Sequence, residues 1–132
     1  IKDCKIVTDR SPSEEEYKSI SIGWRVVKSV KSNAIVLSNH EKTLGVGAGQ
    51  MSRVDSVKIA IRKSKENNLN LVGSILASDA FFPFADSLEL IAKEGVIGVI
   101  QPGGSIKDKE IIEVANKLNL FMIFTGERHF LH

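Results

Sequence analysis

From residue 71 onward the chain alternates three short apolar runs, 71–77, 96–100 and 120–124, with two stretches of helical period, 86–94 and 107–118. Such runs are strands, and a helix between each successive pair is a crossover that returns the next strand parallel to the last. The first half has a different order. Ser11-Pro12-Ser13-Glu14-Glu15-Glu16 sets a capping hydroxyl before acidic first-turn residues, with Glu16 three positions after Ser13, which predicts a helix start. Ile20, Trp24, Val27 and Val30 carry that helix to about Lys31, their stripe facing inward. Apolar runs over 34–37 and 44–48, separated by Ser38-Asn39-His40-Glu41-Lys42, predict a hairpin. Val54, Val57 and Ile61 after Ser52 predict a second amphipathic helix ending near Asn67-Asn68. The expected fold class is α/β: one domain over 1–132, a three-layer αβα sandwich with a mixed five-stranded sheet whose first two strands form the hairpin.

A chain of 132 residues suits one core, and 42% hydrophobic with 26% charged residues of interspersed sign describes a folded chain. The net charge of +2 supplies no basic footprint, so no nucleic-acid partner is expected. Cys4 is the single cysteine, and Cys and His are nowhere clustered at ligand spacing, so neither a disulfide nor a metal is expected. No apolar run approaches the roughly 18 residues that span a bilayer, and Ile1-Lys2-Asp3-Cys4-Lys5 lacks a signal-peptide core. No membrane partner is expected, and the location is expected to be cytoplasmic. The start at Ile1 rather than Met carries the expectation that something precedes it.

The polar, glycine-bearing connections 45–53, 78–86 and 101–105 mostly follow strand ends, where ligands collect in α/β sheets. Gly45-Val46-Gly47-Ala48-Gly49-Gln50-Met51-Ser52-Arg53 leads from a strand into a helix. It lacks the spacing of a dinucleotide or P-loop fingerprint, so it is either a tight turn or a loose phosphate cradle, with Arg53 able to grip a carboxamide or phosphate oxygen. Ser78-Asp79-Ala80-Phe81-Phe82-Pro83-Phe84 places three of the six Phe residues beside a proline. These either plug the core or stack on something planar. Gln101-Pro102-Gly103-Gly104-Ser105 exposes amides ahead of a helix, or is only a turn with Ser105 as N-cap. Arg128-His129-Phe130-Leu131-His132 is either a folded-back functional terminus or a basic tail.

Taken together, Lys31-Ser32-Asn33-Ala34-Ile35, the 45–53 and 78–84 segments, Pro102-Gly103-Gly104-Ser105 and the Arg128-His129-Phe130-Leu131-His132 ending resemble the C-terminal part of a known family. Its members are bifunctional purine-biosynthetic enzymes combining aminoimidazole carboxamide ribonucleotide (AICAR) formyltransferase with inosinate (IMP) cyclohydrolase. The resemblance covers nearly the whole chain, with its motifs in order. It implies a cytidine-deaminase-like fold and identifies the chain as the second of two such subdomains of the formyltransferase region. The first subdomain, with the family's catalytic Lys-His pair, and the cyclohydrolase domain are then absent from the chain.

Carried over by motif, the resemblance implies that Asn33, Arg53, Phe81, Arg128 and Phe130 contact the nucleotide, Arg128 near its phosphate, while Val54, Asp86, Ser105 and Ile106 surround the folate. It makes 10-formyltetrahydrofolate the co-substrate, without a catalytic metal, and the partners AICAR, the preceding subdomain and a second copy in a homodimer. Asn33 would orient a carboxamide or formyl oxygen, with His132 as a possible assistant. Ala85 and Gly103 depart mildly from the family pattern. Two other readings compete. A zinc nucleoside deaminase shares the fold, but its His-x-Glu and Pro-Cys-x-x-Cys motifs do not occur in the chain. The isolated chain can also be a ligand-binding and dimer-docking module without turnover of its own.

Overall fold

The computed structural model describes residues 4–82 and 85–126. Helix α1 (Glu14–Val27) begins where the local chemistry requires: the Ser13 hydroxyl accepts the Glu16 N–H at 3.2 Å, and the Glu16 carboxylate accepts the Ser13 N–H at 2.9 Å. Arg10 pairs with the same carboxylate at 2.8 Å. Burial pushes the Glu16 carboxyl up, but hydrogen bonds from Arg10 and Ser13 outweigh it and hold the group below its ordinary range. After the hairpin β2 (Ile35–Ser38) and β3 (Thr43–Gly47), helix α2 (Arg53–Glu66) starts on the Ser52 hydroxyl and stops at Asn67. Strand β4 (Ile75–Ser78), helix α3 (Asp86–Lys93), strand β5 (Gly98–Gln101), helix α4 (Asp108–Lys117) and strand β6 (Phe121–Phe124) complete the crossover half.

The sheet has six strands, not the expected five. The extra strand, β1 (Lys5–Ile6), pairs antiparallel with β6 at the edge, giving the order β1-β6-β5-β4-β2-β3. Two exposed residues show no apolar alternation from which a strand can be read. Their pairing is continued by the Val7 N–H on the Met122 carbonyl at 3.0 Å and the Met122 N–H on the Thr8 hydroxyl at 2.9 Å. The parallel strands are otherwise as the alternation requires: β4, β5 and β6 run parallel, while β2 is antiparallel to both β3 and β4. The run over 71–77 enters the sheet only at Ile75, because Leu71 is buried before an exposed turn at Val72 and Gly73.

Alternate side chains divide between two cores, as the strand period of two demands. Val36, Ile75, Ala77, Ile100, Phe121 and Ile123 pack with Ile20, Trp24 and Val27 of α1 on one face. Ile35, Leu37, Leu76, Val99 and Met122 pack with residues of α2, α3 and α4 on the other. The sandwich is therefore three-layered, with α1 alone on one side among the described residues.

Two glycines set the spacing of α2 against the sheet edge. A Cβ on Gly45 would meet the Ala60 carbonyl, and one on Gly47 would meet the Ser56 carbonyl, in both cases helix backbone that cannot rotate away. Gly45 and Gly47 lie within β3, so their role is close helix–strand approach. Gly47→Ala is expected to destabilise the domain by about 2 kcal/mol through overpacking, read from the denaturant midpoint. An unchanged midpoint would show that α2 can move outward freely.

Candidate functional site

The sheet topology gathers the selected segments at one end. The carboxyl ends of β4 and β5 are Ser78 and Gln101, and β6 ends beside them at Phe124. Ile35 at the start of β2 lies opposite Ser78, and Gly47 at the end of β3 lies opposite Ile35. Residues 31–34, 48–53, 79–82, 102–107 and 125–126 thus lie at the same end, with Asn33, Arg53, Phe81, Ser105 and Ile106 among them and Val54 and Asp86 in the first turns of the helices that start there. Arg128, Phe130 and His132, like Phe84, lie outside the described residues.

At the centre of this end is an ion pair that the sequence reading missed. Arg53 Nη1 lies 2.6 Å from Asp79 Oδ1, with the Asp79 side chain fully buried and that of Arg53 10% exposed. The other arm, Nη2, donates to Asn33 Oδ1 at 2.8 Å, and Asn33 Nδ2 donates to the Gln50 carbonyl at 2.9 Å. Ser32 Oγ donates to Asp79 Oδ2 at 2.6 Å, and Ser56 Oγ donates to the Asn33 carbonyl at 2.5 Å. The Ser32–Asn33 peptide is cis. Arg53 is therefore directed inward, with one arm on Asp79 and the other on Asn33. No local signal marks Ser32 or Asp79, because their contact spans 47 positions of sequence.

The aromatic segment divides by burial. Phe82 is 1% exposed, packs in the core, and its N–H is accepted by Gln101 Oε1 at 3.0 Å. Phe81 is half-buried at the loop surface, where a flat group can reach it. In the 102–107 turn the amides ahead of α4 are filled by the protein itself: Asp108 accepts the Gly104 N–H at 2.9 Å and the Ser105 N–H at 3.1 Å. Ser105, the N-cap in one of the two readings of this turn, does not take that position. Lys107 takes that place, and the Ser105 hydroxyl accepts the Lys107 N–H at 3.1 Å because the positive-φ glycines 103 and 104 turn the chain before the helix begins. Ile106 is fully exposed, Asp86 is exposed at the first turn of α3, and Val54 is half-buried.

At the opposite end of the sheet a cleft of about 410 Å³ is lined by Ser13, Glu15, Asn39, His40 and Asn70. None of the selected residues lies there. Among the described residues no group of three His, Cys, Asp or Glu side chains is placed to hold a metal, and no helix is long and apolar enough to cross a membrane.

The AICARFT/IMPCHase bienzyme family model matches residues 1–63. The chain is 52% identical over 128 residues to a bifunctional purine biosynthesis protein PurH of Aquifex aeolicus, covering 97% of the chain and 25% of that relative. It is 58% identical over 128 residues to the PurH of Chlorobium phaeovibrioides, covering 97% of the chain and 24% of the relative. The PurH of Streptococcus agalactiae serotype III is 55% identical over 130 residues, with 98% and 25% covered. The chain thus spans about a quarter of the length of these relatives. In structure it is similar to a dCMP deaminase from the cyanophage S-TIM5 solved with dCMP and dUMP, at a TM-score of 0.58 and 16% identity, covering 85% of this chain and 98% of that one. At that identity the likeness is one of fold, and it is the deaminase-like fold that the sequence led us to expect.

The self-capped turn before α4 has a measurable consequence. Asp108→Ala leaves the Gly104 and Ser105 amides without their acceptor and is expected to lower stability by about 1 kcal/mol in urea unfolding, as for loss of a helix cap. No change would mean that water replaces the carboxylate without cost.

Proposed function

This chain belongs to the AICARFT/IMPCHase bienzyme family, and on that premise we propose that it forms part of the formyl-transferring site of a purine-biosynthetic enzyme. The reaction takes the formyl group of 10-formyltetrahydrofolate to the amine of AICAR. A carbon–nitrogen bond forms between amine and formyl carbon, the bond from that carbon to N10 of the folate breaks, and the proton lost by the amine balances the one gained at N10. The amine is weakly nucleophilic because its lone pair is drawn into ring and carboxamide. Orientation and proton transfer therefore supply most of the rate.

The observation that carries this reading is the held amide of Asn33. Arg53 takes one lone pair of Oδ1 and Gln50 takes one N–H of Nδ2, which leaves the amide's other N–H for an acceptor oxygen. A fixed donor at the carboxyl end of a sheet suits the AICAR carboxamide or the oxygen that gains charge as the formyl carbon becomes tetrahedral. In this proposal Arg53 acts on the nucleotide through Asn33, and Phe81 packs against the imidazole. Arg128 meets the phosphate, with Phe130 beside the nucleotide. Asp86 accepts hydrogen bonds from the pterin amide edge, with Val54, Ser105 and Ile106 around the folate. His132 takes at most an assisting part.

The Lys-His pair for proton transfer belongs to a preceding subdomain. We place the whole protein in the cytoplasm as a homodimer that also closes the ring to IMP. The chain alone is then a binding and docking module without turnover.

The test is calorimetric titration of AICAR into the full-length protein and its Arg128→Ala variant, beside a formyltransferase assay. Wild type is expected to bind and turn over, and the variant to lose about 1.5 to 3 kcal/mol of affinity, the worth of a charged hydrogen bond. Absence of nucleotide binding by both proteins would overturn the assignment.

A further inference from the structure

We propose that Asp79 is a positioning residue for formyl transfer: through the two arms of Arg53 it fixes which way the Asn33 amide faces. The proposal deepens the function proposed above and rests on it. Both oxygens of the Asp79 carboxylate are engaged, Oδ1 by Arg53 Nη1 and Oδ2 by the Ser32 hydroxyl, each at 2.6 Å. Its backbone N–H donates to the Ala34 carbonyl at 3.3 Å, which ties the end of β4 to the start of β2. The carboxylate cannot shift without breaking contacts in three segments.

A guanidinium is planar, so once Nη1 is fixed on the carboxylate the direction of Nη2 is fixed as well. Nη2 meets Asn33 Oδ1, and that contact selects one of the two faces of the amide. Turning the amide over would set its NH2 against the guanidinium, donor against donor, and would present a carbonyl to Gln50 O, acceptor against acceptor. Ser32 secures the same arrangement from the chain side, since its hydroxyl holds the residue preceding Asn33 to the same carboxylate. The Asn33 carbonyl is itself held by Ser56 Oγ, so backbone and side chain of Asn33 are both anchored. A buried ion pair returns little net stability compared with apolar packing of the same volume. What this one supplies is a single orientation of a donor at the ligand end of the sheet.

Two variants of the full-length protein separate positioning from folding. Arg53→Lys keeps a positive charge beside Asp79, but one ammonium cannot reproduce the planar fork that reaches both Asp79 and Asn33. Asp79→Asn keeps the shape and removes the charge. Steady-state kcat and the KM for AICAR and for 10-formyltetrahydrofolate are measured separately, beside the thermal midpoint. In each variant that folds, kcat/KM for AICAR is expected to fall about ten- to a hundredfold, the size of one charge-assisted hydrogen bond. The folate KM is expected to stay within about twofold of wild type, a split that general loosening of the domain would not produce.

A folded variant with wild-type kcat and KM for AICAR overturns the proposal, as does a rise in the folate KM as large as the loss in kcat/KM for AICAR. If Asp79→Asn does not fold, Arg53→Lys decides by the same criteria, and if neither folds the role is structural and the proposal falls. A wild-type protein without formyl transfer overturns the function proposed above instead.

Discussion

Where the end of β4, the approach to β2 and the first turn of α2 converge, a fully buried carboxylate meets a guanidinium that is 10% exposed. Removing one member of such a pair leaves the other charged in a poorly hydrated place, at a cost of about 3 to 5 kcal/mol, so the three segments are bound to one another's positions. The Arg53–Asp79 contact thereby does for this end of the sheet what the two cores do for its middle. It converts three separate loops into one surface on which Asn33 has a single orientation. That end of the sheet depends equally on the approach of α2, which carries Arg53. The helix sits close because Gly45 and Gly47 offer no side chain to its backbone. Strand, helix and ion pair thus form one chain of cause: small residues allow the approach, the approach delivers the guanidinium, and the guanidinium orients the amide.

Local features of the fold were legible in the sequence because their causes are local. The capping box at Ser13 and Glu16 and the Ser52 and Asn67 boundaries of α2 each lie within a few residues of the chemistry that makes them. The parallel order of β4, β5 and β6 was legible from alternation, which is a property of neighbours in sequence. Strand β1 was not, since two exposed residues acquire their conformation from the β6 backbone.

That the selected segments share one end of the sheet was legible, but the network joining them there was not. Asn33 and Arg53 were selected singly, without sign that the two arms of Arg53 reach Asp79 and Asn33. Ser32 and Asp79 were not selected, because a contact across 47 positions has no periodic or compositional trace. The turn before α4 shows the same limit on a smaller scale. Asp108, within the helix, reaches back to accept the Gly104 and Ser105 N–H groups, a closure that the glycine-rich turn itself does not signal.

The most direct test of this account is a crystal structure of the full-length protein with AICAR bound. The account predicts the nucleotide at the carboxyl end of the sheet, with Asn33 Nδ2 within about 2.7 to 3.2 Å of the carboxamide oxygen or of the site the formyl oxygen will occupy, and with the Arg53 contacts to Asp79 and Asn33 intact. A nucleotide lodged elsewhere, such as the cleft beside His40, or bound with Asn33 turned away from it, would contradict the account.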